Sequence, residues 1–537
     1  MKKIVLSFLI ILLTSCSSEK RDNTITFGIS NDLTSLNPMF SYSEIESNIG
    51  ELLYLSLVYH KWDKEAGEMI SEKILAKNIL WNSDSTEVEV ELRSDCKWTD
   101  GKPITTEDIV YTYEINSDPE VKSALFGYYN NFELLESGKI DVEKTFQIIN
   151  DKKLRIKFKK GTQPSELDLD ILILPKHVLS GISKNKLSSS EYNLYPITSG
   201  AYKVKEWKRN QYILFEKNDD CFLVNENTIP YVLFKIIPDY NSRILQLKNG
   251  EIDYLDYIES ENVSEIEQLN KFNIESLEGR FYDYIGFINN RNGKPHELFG
   301  DVRVRRAIAY ALDRETIIDK FLFSTGDLAA GPIPNIFKSV LQKEVKAIPF
   351  KPDSAKILLK EAGFSDNNHD GVIEKNNRDF KFTLYLSSGN PKRKFASEIF
   401  KENLNQVGIK MNIEVLEVNT FMDKLFAREL DAWMIGVGNA IPPNLKPGWF
   451  SDIQQAPMNF FYYKNPTVDS LLIEYENVHG KAKKNLILNK LNTLIAKDQP
   501  CVFLYNLNNL VAIDKRIKNY TINSLYPFAR VWDWKIE

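Results

Sequence analysis

The chain has 537 residues, of which 43% are hydrophobic and 26% are charged. These fractions are ordinary for a packed globular protein, and they exclude a disordered or collagen-like chain. The 68 basic and 74 acidic side chains give a formal charge of −6, which argues against general affinity for nucleic acids. At about 150 residues per domain, the length corresponds to three or four domain-sized units.

The amino terminus predicts a secretory signal that ends in a lipid-attachment site. Two lysines precede an apolar run at residues 4–13, which is too short to cross a bilayer as a helix and typical of a signal peptide. The run leads into LTSC, which resembles the bacterial lipobox, whose cysteine is lipidated. We therefore expect residues 1–15 to be removed, Cys16 to carry the lipid and residues 16–23 to form a tether. An ordinary signal peptide with an incidental cysteine is the alternative.

Hydrophobic patterns predict alternating strands and helices along the rest of the chain. Strands are predicted by alternation of period two and by β-branched runs at residues 24–29, 87–93, 146–149, 154–158, 212–216, 232–237 and 409–415. Helices are predicted by apolar spacings of three and four at residues 242–248, 302–320, 354–361 and 395–405. Gly250 is a plausible helix stop. No clean break separates these elements, so we expect domains that are interleaved in sequence.

The sequence carries no motif for catalysis or for a cofactor. The mature chain keeps three cysteines, an odd number whose spacing matches no metal site: Cys96, Cys221 and Cys501. The zinc-protease pattern that begins at His296 is broken, because Gly300 stands where the second histidine is needed. A phosphate-binding loop and a Gly-x-Ser-x-Gly elbow are also missing. We expect no catalytic residue, no resident metal and no cofactor.

Residues 98–112 (WTDGKPITTEDIVYT) carry the most specific motif. The Asp-Gly pair predicts a tight turn, and threonine followed by acidic residues predicts a capped helix start. Further stretches follow in the order known from one family: residues 34–38, 49–59, 174–177, 196–202, 249–253, 301–314 and 427–432. Together they resemble the extracytoplasmic solute-binding proteins of ABC transporters, specifically the dipeptide/oligopeptide/nickel-binding family, which is bacterial solute-binding protein family 5.

The resemblance implies an α/β fold, a type II periplasmic-binding-protein-like clamp of two lobes with an extra domain. Lobe I would comprise residues 24–55, 187–275 and 500–537. A second domain, residues 56–186, would be attached to lobe I, and lobe II would be residues 276–499. The lobes would close around a ligand, as a low-energy equilibrium that the ligand selects.

The resemblance also implies the function, which is binding without chemical change. A lipid-anchored monomer in the cell envelope, facing the periplasm or the cell exterior, would capture peptides. It would deliver them to a membrane permease whose ATPase supplies the energy. Three alternatives stay open: a receptor for a nickel chelate or a saccharide, a peptide-sensing lipoprotein that does not transport, and an envelope hydrolase. The sequence shows no histidine cluster that favours nickel and no nucleophile–base pair that favours hydrolysis.

Six residues are predicted to contact the ligand: Phe40, Tyr42, Asp256, Asn439, Trp449 and Tyr505. Peptide-binding members hold an extended backbone through main-chain hydrogen bonds. They often hold the peptide amine with an aspartate that follows a Gly-Trp pair. Here the matching stretch is residues 436–440, in which Val437 replaces the tryptophan and Ala440 falls near the aspartate. Either another acid binds the amine, or the ligand lacks an ammonium group. Packing in a core is the alternative for each aromatic residue.

Two other charged segments are expected to have structural roles. Residues 366–371 imitate a calcium-binding EF-hand loop, but the twelfth position is Asn377 instead of the chelating glutamate. We expect a structural turn there. The three arginines of residues 303–306 could suggest an anion site, but we expect them to be solvated or paired with acids of their own helix.

Overall fold

The computed structural model describes residues 23–341 and 345–537. The predicted signal peptide and Cys16 lie outside these residues. The described chain alternates helices and strands, as the hydrophobic patterns predict, and its three largest sheets have seven, six and four strands. None of the described helices combines the length and apolar composition that crossing a bilayer requires.

A seven-stranded sheet gathers distant parts of the chain. In spatial order its strands are Phe272–Leu277, Asn509–Asp514, Tyr254–Leu255, Thr24–Ile29, Tyr231–Ile236, Tyr212–Lys217 and Tyr202–Lys208. The strand Thr24–Ile29 runs parallel to both of its neighbours. These strands come mainly from the segments that the resemblance groups as lobe I.

A six-stranded sheet forms the centre of the predicted lobe II. In spatial order its strands are Gly326–Leu328, Cys501–Leu507, Phe281–Phe287, Ala432–Gly438, Lys381–Ser387 and Lys410–Leu416. The strand Cys501–Leu507 pairs with Phe281–Phe287, although the predicted boundary put residues 500–537 in lobe I. The strand Cys501–Leu507 is buried along nearly its whole length. Both of its faces are therefore covered, as expected for a strand inside the sheet.

The predicted second domain contains a four-stranded sheet and a long hairpin. The sheet has the order Ala76–Trp81, Glu87–Leu92, Lys153–Lys157 and Phe146–Asn150. The hairpin pairs Val58–Asp63 with Glu68–Lys73, and we call it the bridging hairpin. Smaller two-stranded sheets join Asn290–Arg291 to Lys294–Pro295, Glu374–Lys375 to Arg378–Asp379, and Ile517–Lys518 to Lys535–Ile536.

Helices pack around these sheets. The α-helices are Glu44–Leu53, Thr106–Asn116, Val142–Thr145, Lys176–Leu179, Tyr240–Asn249, Ser260–Gln268, Val302–Ala311, Arg314–Lys320, Pro352–Glu361, Pro391–Asn405, Val418–Phe426, Lys446–Trp449, Pro466–Asn477 and Lys481–Asp498. Short 3₁₀ helices are Pro38–Phe40, Glu166–Leu169, Lys184–Ser189, Glu191–Asn193 and Val531–Asp533.

One predicted helix ends earlier than expected. The pattern over residues 302–320 predicts one helix, but the structure has two, because Asp313 accepts a hydrogen bond from the Thr316 amide and caps a new start. In the family-like stretch of residues 49–59, the helix Glu44–Leu53 ends at Leu53. Residues from Val58 onward belong to the bridging hairpin instead.

The chain crosses between the two largest sheets at residues 278–280 and at Asn508. The crossings pack tightly, because a Cβ atom on Gly279 would lie 2.3 Å from the Leu507 carbonyl oxygen. One continuous apolar core contains both Phe27 of the seven-stranded sheet and Val88 of the four-stranded sheet. Separate cores cover the two faces of the six-stranded sheet.

Candidate functional site

The bridging hairpin spans the gap between the predicted second domain and lobe II. Trp62 packs edge-on against Phe337, with ring centroids 5.7 Å apart. Near the hairpin tip, Glu68 forms a 2.8 Å ion pair with Lys481. These contacts join the bridging hairpin to residues 337 and 481, and Gln163 adds a hydrogen bond to the Glu476 carbonyl.

A cavity of about 980 Å³ lies beside this hairpin, and its lining comes from residues 60–171 and 337–485. Its volume is that of a typical small-ligand site. Aromatic and proline side chains contribute much of its lining: Tyr113, Tyr128, Tyr129, Phe132, Pro442, Pro443 and Tyr475. Tyr128 presents 76% of its surface to solvent, so the cavity offers open aromatic faces to an incoming group.

Charged side chains of both signs also line the cavity. Burial lowers the pKa of Lys484, which lies over the Tyr475 ring. Burial raises the pKa of Asp168, although Ser165 and Asn131 donate hydrogen bonds to this carboxyl. Asp170 lies on the same wall. A ligand that carries both charges and apolar side chains fits such a surface.

An acidic group lies where the helix Glu44–Leu53 meets the second domain. Burial raises the pKa of Glu51 well above its ordinary value, and the nearby Asp170 carboxylate raises it further. The same two carboxyls act on Tyr526 of the carboxy-terminal segment, whose pKa is raised first by burial. The Tyr59 side chain acts in the opposite direction and lowers the pKa of the Glu51 carboxyl. We call Glu51, Asp170, Tyr59 and Tyr526 the acidic group.

Asp256 is exposed to solvent, yet protein surrounds its carboxyl. Burial raises the pKa of Asp256, with a contribution from Glu44, against the opposing charge of Arg243. The contact of Asp256 with a ligand stays a prediction.

Phe40, Tyr42 and Asn439 contact their own chain in this structure. Phe40 is buried. Tyr42 is 69% exposed, and its hydroxyl donates a hydrogen bond to the Lys122 carbonyl at 3.0 Å. Asn439 is buried, and its side-chain amide donates to the Pro332 carbonyl at 2.8 Å. These three ligand contacts stay predictions.

Two aromatic residues that we predict to contact ligand lie in cores. Trp449 stacks on Phe461, with centroids 5.2 Å apart. Tyr505 is 1% exposed within the core of the six-stranded sheet. Neither ring has a face that is open to solvent. This agrees with the alternative given in the sequence analysis, which is packing in a core. The structure brings none of the six predicted residues into the lining of the large cavity.

The sequence prediction missed Glu51, Asp170 and Lys484. The sequence could have indicated Glu51, because it is the lone charged residue within the mostly apolar residues 49–59. Charged side chains are seldom buried without a partner. Asp170 and Lys484 carried no such signal, since only the fold brings residues 170 and 484 into the lining of one cavity.

A serine, a histidine and an aspartate form a hydrogen-bonded row at the cavity edge. Ser71 Oγ lies 2.8 Å from His60 Nε2, and His60 Nδ1 lies 2.7 Å from Asp170 Oδ2. The three side chains follow one another as in the catalytic triad of a hydrolase. The sequence analysis did not predict this arrangement. His60 and Ser71 face each other across the bridging hairpin. The His60 side chain is 3% exposed, so the row ties the hairpin to the loop at Asp170.

The structure also shows the surroundings of the residues that were expected to have structural roles. Residues 366–371 form a turn in which Asp366 accepts a hydrogen bond from the Gly371 amide, and no set of three metal-binding side chains occurs in the described ranges. Arg303 pairs with Asp301. The expectation is wrong for Arg305, which is buried and donates to the carbonyls of residues 299, 300, 498 and 499. The three cysteines of the described chain are buried free thiols.

A family model matches most of the chain. The model for bacterial extracellular solute-binding proteins, family 5, matches residues 72–452. The oligopeptide-binding protein AppA of Bacillus subtilis is 28% identical, over 98% of this chain and 97% of that protein. The periplasmic oligopeptide-binding protein OppA of Salmonella typhimurium is 24% identical, over 91% of this chain and 88% of that protein.

Solved structures share the fold. The structure of AppA from Bacillus subtilis in complex with a nonapeptide has a TM-score of 0.64 and 27% identity, covering 96% of this chain and 99% of that one. NikZ from Campylobacter jejuni in complex with Ni(L-His) has a TM-score of 0.67 at 23% identity, over 96% of this chain and 99% of that one. The expected type II clamp is therefore confirmed.

Proposed function

The chain belongs to the bacterial extracellular solute-binding proteins of family 5, the substrate-binding proteins of ABC transporters, and from that premise we propose that it captures peptides between its lobes. The similarity to AppA, which is an oligopeptide-binding protein, extends over nearly the whole of both chains. That similarity carries the proposal. The cavity adds physical support, because its aromatic walls and its charges of both signs suit a zwitterionic chain with varied side chains.

The mode of capture follows from the arrangement of the sheets. We propose that lobe I with the attached second domain forms one rigid half and lobe II the other. The crossings at residues 278–280 and at Asn508 would be the hinge. A peptide that contacts both halves would favour the closed state by its differential contacts. Binding alters no covalent bond of the peptide.

Anchoring and transport belong to the same proposal. The LTSC sequence supports lipidation of Cys16 after removal of residues 1–15. The protein would then face the periplasm or the cell exterior as a lipid-anchored monomer and pass its peptide to a membrane permease driven by an ATPase. A Cys16→Ser variant should appear in the aqueous phase after detergent phase separation, and the parent protein in the detergent phase. Equal partition of both would contradict the anchor.

Mass spectrometry of the ligand that co-purifies with the protein tests the peptide assignment. Denaturing the purified protein should release peptides in about equimolar amount. Recovery of a nickel chelate or a saccharide alone would replace the peptide assignment with one of the alternatives. A protein isolated empty is tested with a library of six-residue peptides, and retention of none of them would overturn the proposal.

A further inference from the structure

We propose that a second, smaller cavity of about 220 Å³ binds an anion of the phosphate class between Arg306, Arg314 and Lys497. This cavity shares no lining residue with the large cavity, so the anion site does not depend on the peptide-binding function. Its volume is below that of an ordinary small-molecule site. The space suits a small ion with a few waters.

The cationic side chains of this small cavity come from separate elements of the fold. Arg306 and Arg314 lie on two successive helices, and Lys497 lies in the last turn of the helix Lys481–Asp498. Lys346 adds a fourth positive charge, and no acidic side chain is among the described residues that line the cavity. Four cations around one small volume repel one another, and an anion between them would remove that repulsion.

Arg314 supplies an independent sign of a missing partner. Its side chain is 3% exposed, and its Nη1 and Nη2 atoms donate hydrogen bonds to the carbonyls of Phe503 and Ile348. Its Nε atom has no hydrogen-bond partner within the described chain, although buried donors are normally satisfied. Burial lowers the pKa of Arg314 to about 10, and among the described residues Glu315 is the one acid that opposes this effect. A buried charge without a counter-ion is costly, and a bound anion would supply that counter-ion.

Arg306 and Lys497 are accessible to an incoming ion. Arg306 is half-buried and Lys497 is exposed, and neither side chain forms an ion pair or a hydrogen bond with the described part of the chain. The expected pairing of the arginines of residues 303–306 with acids of their own helix therefore does not occur at Arg306. The carbonyls of residues 498 and 499 would repel an anion, but Arg305 donates hydrogen bonds to both of them.

The set of donors favours a phosphate group over a single carboxylate. Two guanidinium groups and one ammonium group reach the cavity from three elements, and a tetrahedral, doubly charged oxyanion has an oxygen for each of them. Arginine and lysine are the side chains that proteins use most for such groups. Free phosphate and the phosphate of a lipid headgroup share this chemistry.

Titration calorimetry with inorganic phosphate tests the site on the purified mature protein, in a phosphate-free buffer at constant ionic strength. Two charge-assisted contacts correspond to a dissociation constant of about 1 mM, so one phosphate per protein should bind at that concentration or below. Arg306→Gln and Lys497→Gln should each weaken binding by about tenfold or more. Lys490→Gln removes the same charge at an exposed position of the same helix, outside the cavity lining, and should bind phosphate as the parent protein does.

Glycerol phosphate is the second probe, and it distinguishes the two sources of the phosphate group. Tighter binding of glycerol phosphate assigns the site to a lipid headgroup, tighter binding of inorganic phosphate assigns it to the free ion, and both results support the site. Saturable binding of neither probe would overturn it. Equal affinity of the parent protein and a folded Lys497→Gln protein would also overturn it, as would an equal loss of affinity in Lys490→Gln and Lys497→Gln. If Arg306→Gln fails to fold, Lys497→Gln decides alone, because Lys497 is exposed.

Discussion

Arg393 donates two hydrogen bonds to the carboxylate of Asp283, at 2.9 Å from Nε and 2.8 Å from Nη2. The pair joins the helix Pro391–Asn405 to the strand Phe281–Phe287 of the six-stranded sheet. Burial alone would lower the pKa of Arg393. The hydrogen bonds and the negative charge of Asp283 have the larger effect, so the pKa of Arg393 is raised. Gly436 lies directly against the pair, since a Cβ atom there would be 2.3 Å from the guanidinium and 2.4 Å from the carboxylate.

Gly436→Ala should therefore break this ion pair and destabilise the six-stranded sheet. Separating a buried pair leaves uncompensated charges, so the free energy of unfolding should fall by about 3 kcal/mol. Urea denaturation measures the loss. Gly448→Ala is the matched control, because nothing lies within 4 Å of a Cβ atom at Gly448. Equal stability of the two variants would mean that the pair tolerates the added methyl group.

The stability of the segment at residues 34–43 should depend on the charge of Glu46. Its carboxyl accepts hydrogen bonds from Thr34 N at 2.6 Å and Thr34 Oγ1 at 2.5 Å, and from the amides of Tyr42 and Ser43 at 3.0 and 3.2 Å. Burial raises the pKa, but these bonds outweigh burial and lower it below the ordinary value of 4.5. The bonds thus stabilise the fold at neutral pH, and the contribution is lost as pH falls through the lowered pKa.

Glu46→Gln should lower the free energy of unfolding at pH 7 by about 1–2 kcal/mol. The gap from the parent protein should shrink in acid, because the parent loses the same contribution there. Urea denaturation at a series of pH values between neutral and acidic conditions measures both effects. A gap that stays constant over that series would show that the charge of Glu46 is not the source of the stability.

Trp62→Ala should weaken ligand retention by loosening the bridging hairpin. The change removes the contact with Phe337 and widens the cavity that Trp62 lines. We expect peptide affinity to fall by about tenfold, which corresponds to about 1.4 kcal/mol. Titration calorimetry measures the affinity, and small-angle scattering measures compaction on binding. Leu80→Ala, at a site 64% exposed, should have no effect. Unchanged affinity in the Trp62 variant would exclude the hairpin from closure.

The elements were predictable where the local pattern decides the structure. Val88, Val90 and Leu92 alternate with charged residues and form the predicted strand, and Gly250 ends its helix in the left-handed conformation. The site was harder, because an aromatic side chain in a core and one in a cavity wall have the same local sequence signature. Trp449 packs in a core, while Tyr128 lines the cavity. Only tertiary packing separates these two cases.

The row of Ser71, His60 and Asp170 gives a direct test of whether the protein alters its ligand. We expect Ser71→Ala to leave peptide integrity unchanged, because the buried imidazole serves to hold the hairpin. Liquid chromatography of the peptide after long incubation measures integrity. Hydrolysis by the parent protein that disappears in the Ser71 variant would assign the row a catalytic role.

Native mass spectrometry of the mature protein, equilibrated with the library of six-residue peptides, tests the central claim most directly. We predict a complex of one protein with one peptide, from which denaturation releases peptides of unchanged mass. Shortened peptides, or a spectrum of protein without any bound peptide, would contradict the claim that this chain encloses peptides without changing them.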